Sequence, residues 1–220
     1  MLEIIFIHIP KTAGTTIFKL LKRNYSPDEI IKFKKNIFKK YPDKEPASIL
    51  SEMIQPSTKV LIGHCSYRDL SLVLKQNPNV KLVTFLRDPV DRVISNFKFF
   101  RKRILTGKAK KKQLQRVHEP LMTYARRPGS INRMTKILKG VNLEDLYFIG
   151  IFETLENDIQ ELFLSLNLEI ESIPVENKNS VVETSDITIS SSDIEQLKSL
   201  NHQDILLYNK ARQLRRHKSA

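Results

Sequence analysis

The chain contains one cysteine, Cys65, and no tryptophan in 220 residues. A lone cysteine excludes an intrachain disulfide and suits a reducing compartment. No stretch approaches the roughly 20 consecutive apolar residues that a membrane-spanning helix needs. The apolar run after Met1 is short and ends in a Pro-Lys turn, so it does not read as a signal peptide. These absences lead to the expectation of a cytoplasmic protein without a membrane span. No internal repeat is present, and no low-complexity tract beyond one basic run. With 40% hydrophobic and 28% charged residues the chain can fill one sizeable core, so a single domain over residues 1–220 is expected.

Negative charge is also scarce. Lys and Arg total 37 against 24 Asp and Glu, a formal net charge of +13. Such a surplus favours anionic partners: nucleotides, phosphates, acidic glycans, nucleic acid or an anionic membrane surface. It does not choose among them, and plain solubility is a competing reading. A nucleic-acid module interleaves its basic stripe with stacking aromatics. Here Trp is missing and Lys108 to Lys112 contains no aromatic, so nucleic acid is not the expected partner.

What is present is an alternation of strands and helices. Glu3 to His8 (EIIFIH) reads as a short buried strand, and Thr15 to Arg23 as a helix with Ile17, Phe18, Leu20 and Leu21 on one face. Residues 24–58 are lysine-rich, punctuated by four prolines, and read as short helices and loops. Lys59 to Gly63, Val80 to Leu86 and Leu146 to Phe152 are three more strands. Pro89 to Arg103 is a helix with Asp88 as its N-cap and Pro89 at its first position. Helical stretches follow near Leu121 to Arg126, Ile131 to Leu138 and Leu155 to Leu166. Ser192 is expected to cap a last helical region running through Gln213. The expected fold class is α/β: a P-loop-like, mostly parallel sheet flanked by helices on both faces.

Two segments carry chemistry. The first, HIPKTAGTT (residues 8–16), joins the first strand to the first helix. Backbone N–H groups at a helix N-terminus lack intrahelical partners, and the helix dipole favours negative charge there. Gly14 lets the backbone approach an anion closely. Lys11 adds a full charge, and Thr12, Thr15 and Thr16 add hydroxyls. A Walker A loop is written G-x-x-x-x-G-K-[ST]. His8-Ile9-Pro10 precede Lys11-Thr12 without that glycine, so the loop shares at most the geometry.

The second segment, FLRDPVDRVISNF (residues 85–97), lies at the C-terminal end of a strand, where open α/β sheets bind ligands. Arg87 leaves the strand toward that crevice, and Ser95 falls two turns into the following helix. Both can serve one phosphate if the chain folds back past Arg87. A kinase would use Asp88 as a magnesium ligand, whereas the N-cap accounts for Asp88 without a metal.

HIPKTAGTT, GHCSYRDL (residues 63–70) and FLRDPVDRVISNF resemble the signature segments of the sulfotransferase family. The branch they resemble most contains heparan sulfate 2-O-sulfotransferase and its bacterial relatives. FIGIFETLENDIQELF and LNHQDILLYNKA resemble later parts of the same family, so the likeness spreads from residue 4 to about residue 211. The resemblance implies 3′-phosphoadenosine 5′-phosphosulfate as donor and no metal requirement. It implies that Lys11, Thr12, Ala13, Gly14, Thr15 and Thr16 hold the 5′-phosphosulfate, and that Arg87 and Ser95 hold the 3′-phosphate. It implies that His64 is the general base acting on a hydroxyl acceptor, a sugar or glycan, with Lys11 assisting the leaving group. His8 is the competing histidine for the base role, but its place inside the first motif leads to the expectation that it supports the loop.

Arg68, Arg92 and Asn132 are further candidates for the site, each with a structural role as its competing reading. The basic run Arg101 to Arg116 can steer an anionic acceptor such as a uronic-acid glycan. The loop around Asn177 to Ser180 is a candidate for closing over the donor. The alternatives are a small P-loop kinase using ATP and magnesium, a basic nucleic-acid-binding module, and a family member that binds donor without turnover.

Overall fold

The first strand, β1 (Ile4–Ile7), is an all-apolar, β-branched run buried on both faces. The computed structural model describes residues 1–173 and 188–218 of the chain. After β1 come α1 (Gly14–Asn24), β2 (Ile30–Phe33), α2 (Pro46–Met53), β3 (Val60–Gly63), α3 (Ser71–Gln76) and β4 (Lys81–Leu86). The second half runs α4 (Pro89–Leu105), α5 (Lys111–Leu114), α6 (Leu121–Ala125), α7 (Arg133–Ile137), β5 (Phe148–Ile151), α8 (Leu155–Ser165), α9 (Ser191–Leu200) and α10 (His202–Lys218).

The five strands form one sheet in the order β2-β3-β1-β4-β5, every neighbour parallel. Alternation along β1 divides the core. Ile5 and Ile7 pack with Leu50 of α2, Val73 of α3, Met134 of α7 and Tyr208 of α10. Ile4 and Phe6 pack on the opposite face with Ile17 and Leu20 of α1 and Ile159 and Leu162 of α8. Both faces are therefore covered by helices, as the strand–helix alternation predicts. A third cluster joins Val93 and Phe97 of α4 to Leu121 and Tyr124 of α6 and Leu197 of α9.

The register aligns the strand ends. Ile7 lies opposite Gly63 on one side and Thr84 on the other, and Gly63 lies opposite Phe33. His8, Lys34 and His64 therefore all leave the sheet in one row. The chain adds β2 and β3 on one side of β1, then crosses to add β4 and β5 on the other. That reversal opens a crevice at the carboxyl ends beside β1, the usual ligand position in such sheets.

Two sequence expectations need correction. The stretch read as helices and loops contains β2. It is four residues long, lies at the sheet edge and carries an exposed Lys32 among lysine-rich flanks, so its apolar signal is short. The last helical region is capped by Ser190 rather than Ser192. Ser190 Oγ accepts from the Asp193 N–H at 3.0 Å, and Asp193 Oδ2 accepts from the Ser190 N–H at 3.0 Å. The region is also two helices, broken at Asn201, whose side-chain amide donates to the Leu197 carbonyl at 3.0 Å. Asn177 to Ser180 lie outside the described residues. No helix among the described residues is long and apolar enough to cross a membrane.

Candidate active site

The loop between β1 and α1 is held in an unusual backbone shape. Lys11 and Ala13 both have left-handed φ, 73° and 71°. Non-glycine residues in that region cost about 1–3 kcal/mol each and persist where surrounding structure over-determines them. Here the Thr12 hydroxyl, fully buried, donates to the Ile9 carbonyl at 2.9 Å and braces the turn from inside. Thr16 is buried as well, whereas Thr15 is exposed. The first intrahelical bond of α1 runs from the Ile17 N–H to the Ala13 carbonyl. The amides of Gly14, Thr15 and Thr16 thus have no acceptor within the helix.

Gly14 permits this arrangement for a specific reason. A Cβ at this position would lie 2.0 Å from the His8 ring. Any side chain there must displace His8, so the glycine and the histidine fit as a pair.

His8 in turn contacts His64, the residue after β3. The two imidazoles stack with centroids 4.1 Å apart and planes inclined by 26°. His64 Nδ1 lies 2.8 Å from the His8 carbonyl. A carbonyl only accepts, so Nδ1 carries the proton and Nε2 of the neutral ring keeps its lone pair. Burial pushes the His64 pKa down; the bond to the His8 carbonyl pulls it partly back, and Arg133, Lys32 and Lys34 push it lower again. Burial, with the charge of His64 next, pushes His8 down to about 3. Both rings are neutral at pH 7, and one of them presents a lone pair in a half-buried setting.

Across the crevice, Lys11 and Arg87 approach each other. Arg87 Nη1 donates to the Lys11 carbonyl at 3.4 Å, and its guanidinium stacks on the Phe152 ring at 4.1 Å. Arg87 Nε is buried with no hydrogen-bond partner. An orphaned buried donor carries a desolvation penalty until an acceptor arrives. Lys11 Nζ lies over the Phe99 ring, 4.4 Å from its centroid. Burial lowers its pKa, and the charges of Arg87 and Lys102 lower it further. Two cations thus face each other there, with Asp91, Glu153 and Asp88 acting on Arg87.

Ser95 sits half-buried on α4 between two reporters of position. Asp91, Ser95 and Phe99 follow at i, i+4 and i+8, so they share a helix face. Asp91 acts on Arg87 electrostatically, and Phe99 lies under Lys11. Ser95 thus belongs to the face flanked by the two cations. Asp88 is committed to the helix: its Oδ1 accepts from the N–H groups of Val90 and Asp91 at 2.9 and 3.0 Å. Its own N–H donates to Glu153, which also accepts from the Tyr208 hydroxyl at 2.7 Å.

The softer candidates separate. Arg92 is 1% exposed; it donates to the Ser130 carbonyl at 3.1 Å and lies 3.7 Å from Asp204. Asp204 also accepts from the N–H groups of Met134 and Thr135, and its own N–H donates to Asn132. Arg92 and Asn132 therefore tie α4, α7 and α10 together, the structural alternative. Arg68 is exposed. Three residues join the site that sequence reading did not single out. Arg133 follows the left-handed Asn132 and acts on His64; burial lowers its pKa. Phe152 follows β5 directly, a position at the ligand end of the sheet. Phe99 is one helical turn beyond Ser95, the spacing that betrays it. A cavity of about 320 Å³, lined by Leu143, Tyr147, Phe148 and Leu214 among others, opens at the opposite end of β5 and takes no part in this constellation.

The arrangement can hold an anion at the α1 amides, a second anion at Arg87 and Ser95, and a proton at His64 Nε2. Comparison with known proteins bears on the family and the fold. The model of the sulfotransferase family matches residues 2–211. None of the curated proteins matches the sequence. Among solved structures, a sulfotransferase from Alicyclobacillus acidocaldarius is similar at a TM-score of 0.50 and 15% identity, covering 96% of this chain and 95% of that one. Mouse sulfotransferase SULT7A1 complexed with PAP is similar at a TM-score of 0.56 and 12% identity, covering 100% and 89%. At these identities the structural likeness is one of fold.

Proposed function

The chain belongs to the sulfotransferase family, and from that premise we propose that it moves a sulfuryl group from 3′-phosphoadenosine 5′-phosphosulfate to a hydroxyl of a sugar or glycan. The proposal treats residues 1–220 as one catalytic domain working in the cytoplasm. The observation that carries it is the setting of the β1–α1 loop: His64 Nδ1 meets the His8 carbonyl at one end of it, and Arg87 meets the Lys11 carbonyl further along, with Lys11 and Arg87 both half-buried.

Sulfuryl transfer resembles phosphoryl transfer, with in-line attack and charge building on the bridging oxygen. The new O–S bond forms at the acceptor hydroxyl as the S–O bond to the donor phosphate breaks. His64 Nε2 takes the hydroxyl proton. Lys11 and the amides at the start of α1 stabilise the charge left on the departing phosphate. A sulfuryl group carries less negative charge than a phosphoryl group, so these groups suffice in the proposal without a metal clamp. The use of Asp88 as a helix cap agrees with that reading.

The 3′-phosphate is assigned to Arg87 and Ser95. A bidentate guanidinium suits phosphate, and the orphaned Nε of Arg87 fits an incoming anion. For the acceptor, the cations acting on His64 support an acidic glycan: Arg133, Lys32 and Lys34 all lower its proton affinity. That charge pattern supports placing the chain near the heparan sulfate 2-O-sulfotransferase branch.

Replacing Arg87 tests the donor assignment. Arg87→Ala is expected to weaken binding of 3′-phosphoadenosine 5′-phosphate by roughly 30-fold or more, about 2 kcal/mol, through the lost charge-assisted contact. Binding of the analogue lacking the 3′-phosphate should change little. Equal losses for both ligands, measured by calorimetry, would remove the 3′-phosphate from Arg87.

A further inference from the structure

We propose that His8 is a positioning residue that holds the His64 ring, Nε2 outward, against the loop that binds the donor. The inference rests on reading His64 as the base and adds what orients it. Three contacts converge on His8. Its carbonyl lies 2.8 Å from His64 Nδ1, its ring stacks on His64 at 4.1 Å, and its ring atoms Cδ2 and Nε2 occupy the space where Gly14 lacks a Cβ. The carbonyl selects the tautomer, and the stack limits rotation of the ring about χ2. Contact with Gly14 makes both depend on the shape of the donor loop.

The charges around the pair point the same way. The groups that act on His64 are the His8 carbonyl, Lys32 and Lys34 from the β2 end, and Arg133 from α7. Those that act on His8 are His64, Lys32 and Lys11. No carboxylate is among them. Apart from the His8 carbonyl, which favours a proton on His64, the charged groups that act on the two rings are cations. His8 is the more buried by effect, staying neutral down to about pH 3, so His64 is the ring left to exchange a proton.

The test uses the full chain, labelled with ¹⁵N in its histidines. The His64 imidazole of the parent is expected to show the Nδ1–H tautomer near pH 7.5. His8→Phe keeps the backbone carbonyl and a flat ring on both neighbours. It is expected to keep that tautomer and a kcat within about threefold of the parent. His8→Ala keeps the carbonyl but loses the ring. Its kcat is expected to fall roughly tenfold or more, a loss typical of misplaced catalytic groups, with a much smaller change in donor KM. The acid limb of its pH profile should move up toward the ordinary histidine value. An Nε2–H tautomer in the parent would overturn the proposal. So would parental kcat and pH profile in His8→Ala, or a folded His8→Phe as impaired as His8→Ala. The parent spectrum and the His8→Phe variant decide the matter if His8→Ala does not fold. The tautomer is read without any acceptor, so its failure is separate from failure of the base assignment, which is read from His64 variants.

Discussion

His64→Ala is expected to lower the rate of sulfuryl transfer by a factor of about 10²–10⁴, the range typical of a lost general base, while leaving donor affinity nearly unchanged. The reason is positional. His64 follows β3 and meets His8 through its Nδ1 and its ring face. The α1 amides, Lys11 and Arg87 remain in place when its ring is removed. The parent should also show an acid limb set by His64. Burial holds its pKa below the usual 6.5. The neutral ring is the active form, so the rate should rise with pH along a limb whose midpoint lies below the usual histidine value. His64→Ala should lose that limb. Calorimetric binding of 3′-phosphoadenosine 5′-phosphate beside initial rates separates the two roles. Equal loss of binding and rate would make His64 a structural residue.

Lys11→Ala is expected to abolish measurable transfer and to weaken donor binding as well. An electrostatic contact to the developing charge is worth about 10²–10³ in rate when a single donor is removed. Lys11 also contributes a full charge to ground-state binding, so both quantities fall. Alanine is the informative replacement. The Arg87 bond is to the main-chain carbonyl of residue 11 and survives the change. The left-handed φ of 73° also remains populated by a non-glycine residue, so backbone strain is similar before and after. Lys11→Gly would relax that strain and mix two effects. Burial and the neighbouring cations lower the Lys11 pKa, so the ammonium is held in an unfavourable setting that an anionic donor relieves. Transfer at the parental rate in Lys11→Ala would remove the loop lysine from the mechanism.

The parts of the fold that were legible from sequence were those with local signals. β1 and β4 announce themselves as β-branched apolar runs, and Asp88-Pro89 marks the start of α4 through cap chemistry that the structure bears out. The turn between β1 and α1 was legible because Lys11, Gly14 and three threonines fall where a strand meets a helix. β2 was not, because four residues at a sheet edge, with Lys32 turned onto the Phe18 ring at 3.6 Å, look like any polar stretch. The true cap was not legible because residues 190–192 are all serine; the Ser190–Asp193 reciprocity decides among them in three dimensions.

The site divides along the same line. Lys11 and Arg87 were legible from their motifs, but their approach across the crevice was not. The contact of His8 with His64 joins residues far apart in sequence, and the fit of His8 to Gly14 within one motif is reported by no periodicity. Arg92 and Asn132 look alike on paper as polar residues near a motif. Only the Asp204 network shows that they fasten helices to one another. The Thr12 hydroxyl donates to the Ile9 carbonyl, a contact that the motif alone does not report.

The most direct test of the central claim is calorimetric titration of the unmodified chain, in the absence of magnesium, with 3′-phosphoadenosine 5′-phosphate, ADP and ATP. The account predicts clear preference for the 3′-phosphorylated ligand, carried by Arg87 and Ser95. Equal affinity for all three, or binding only of ATP and only once magnesium is added, would contradict it.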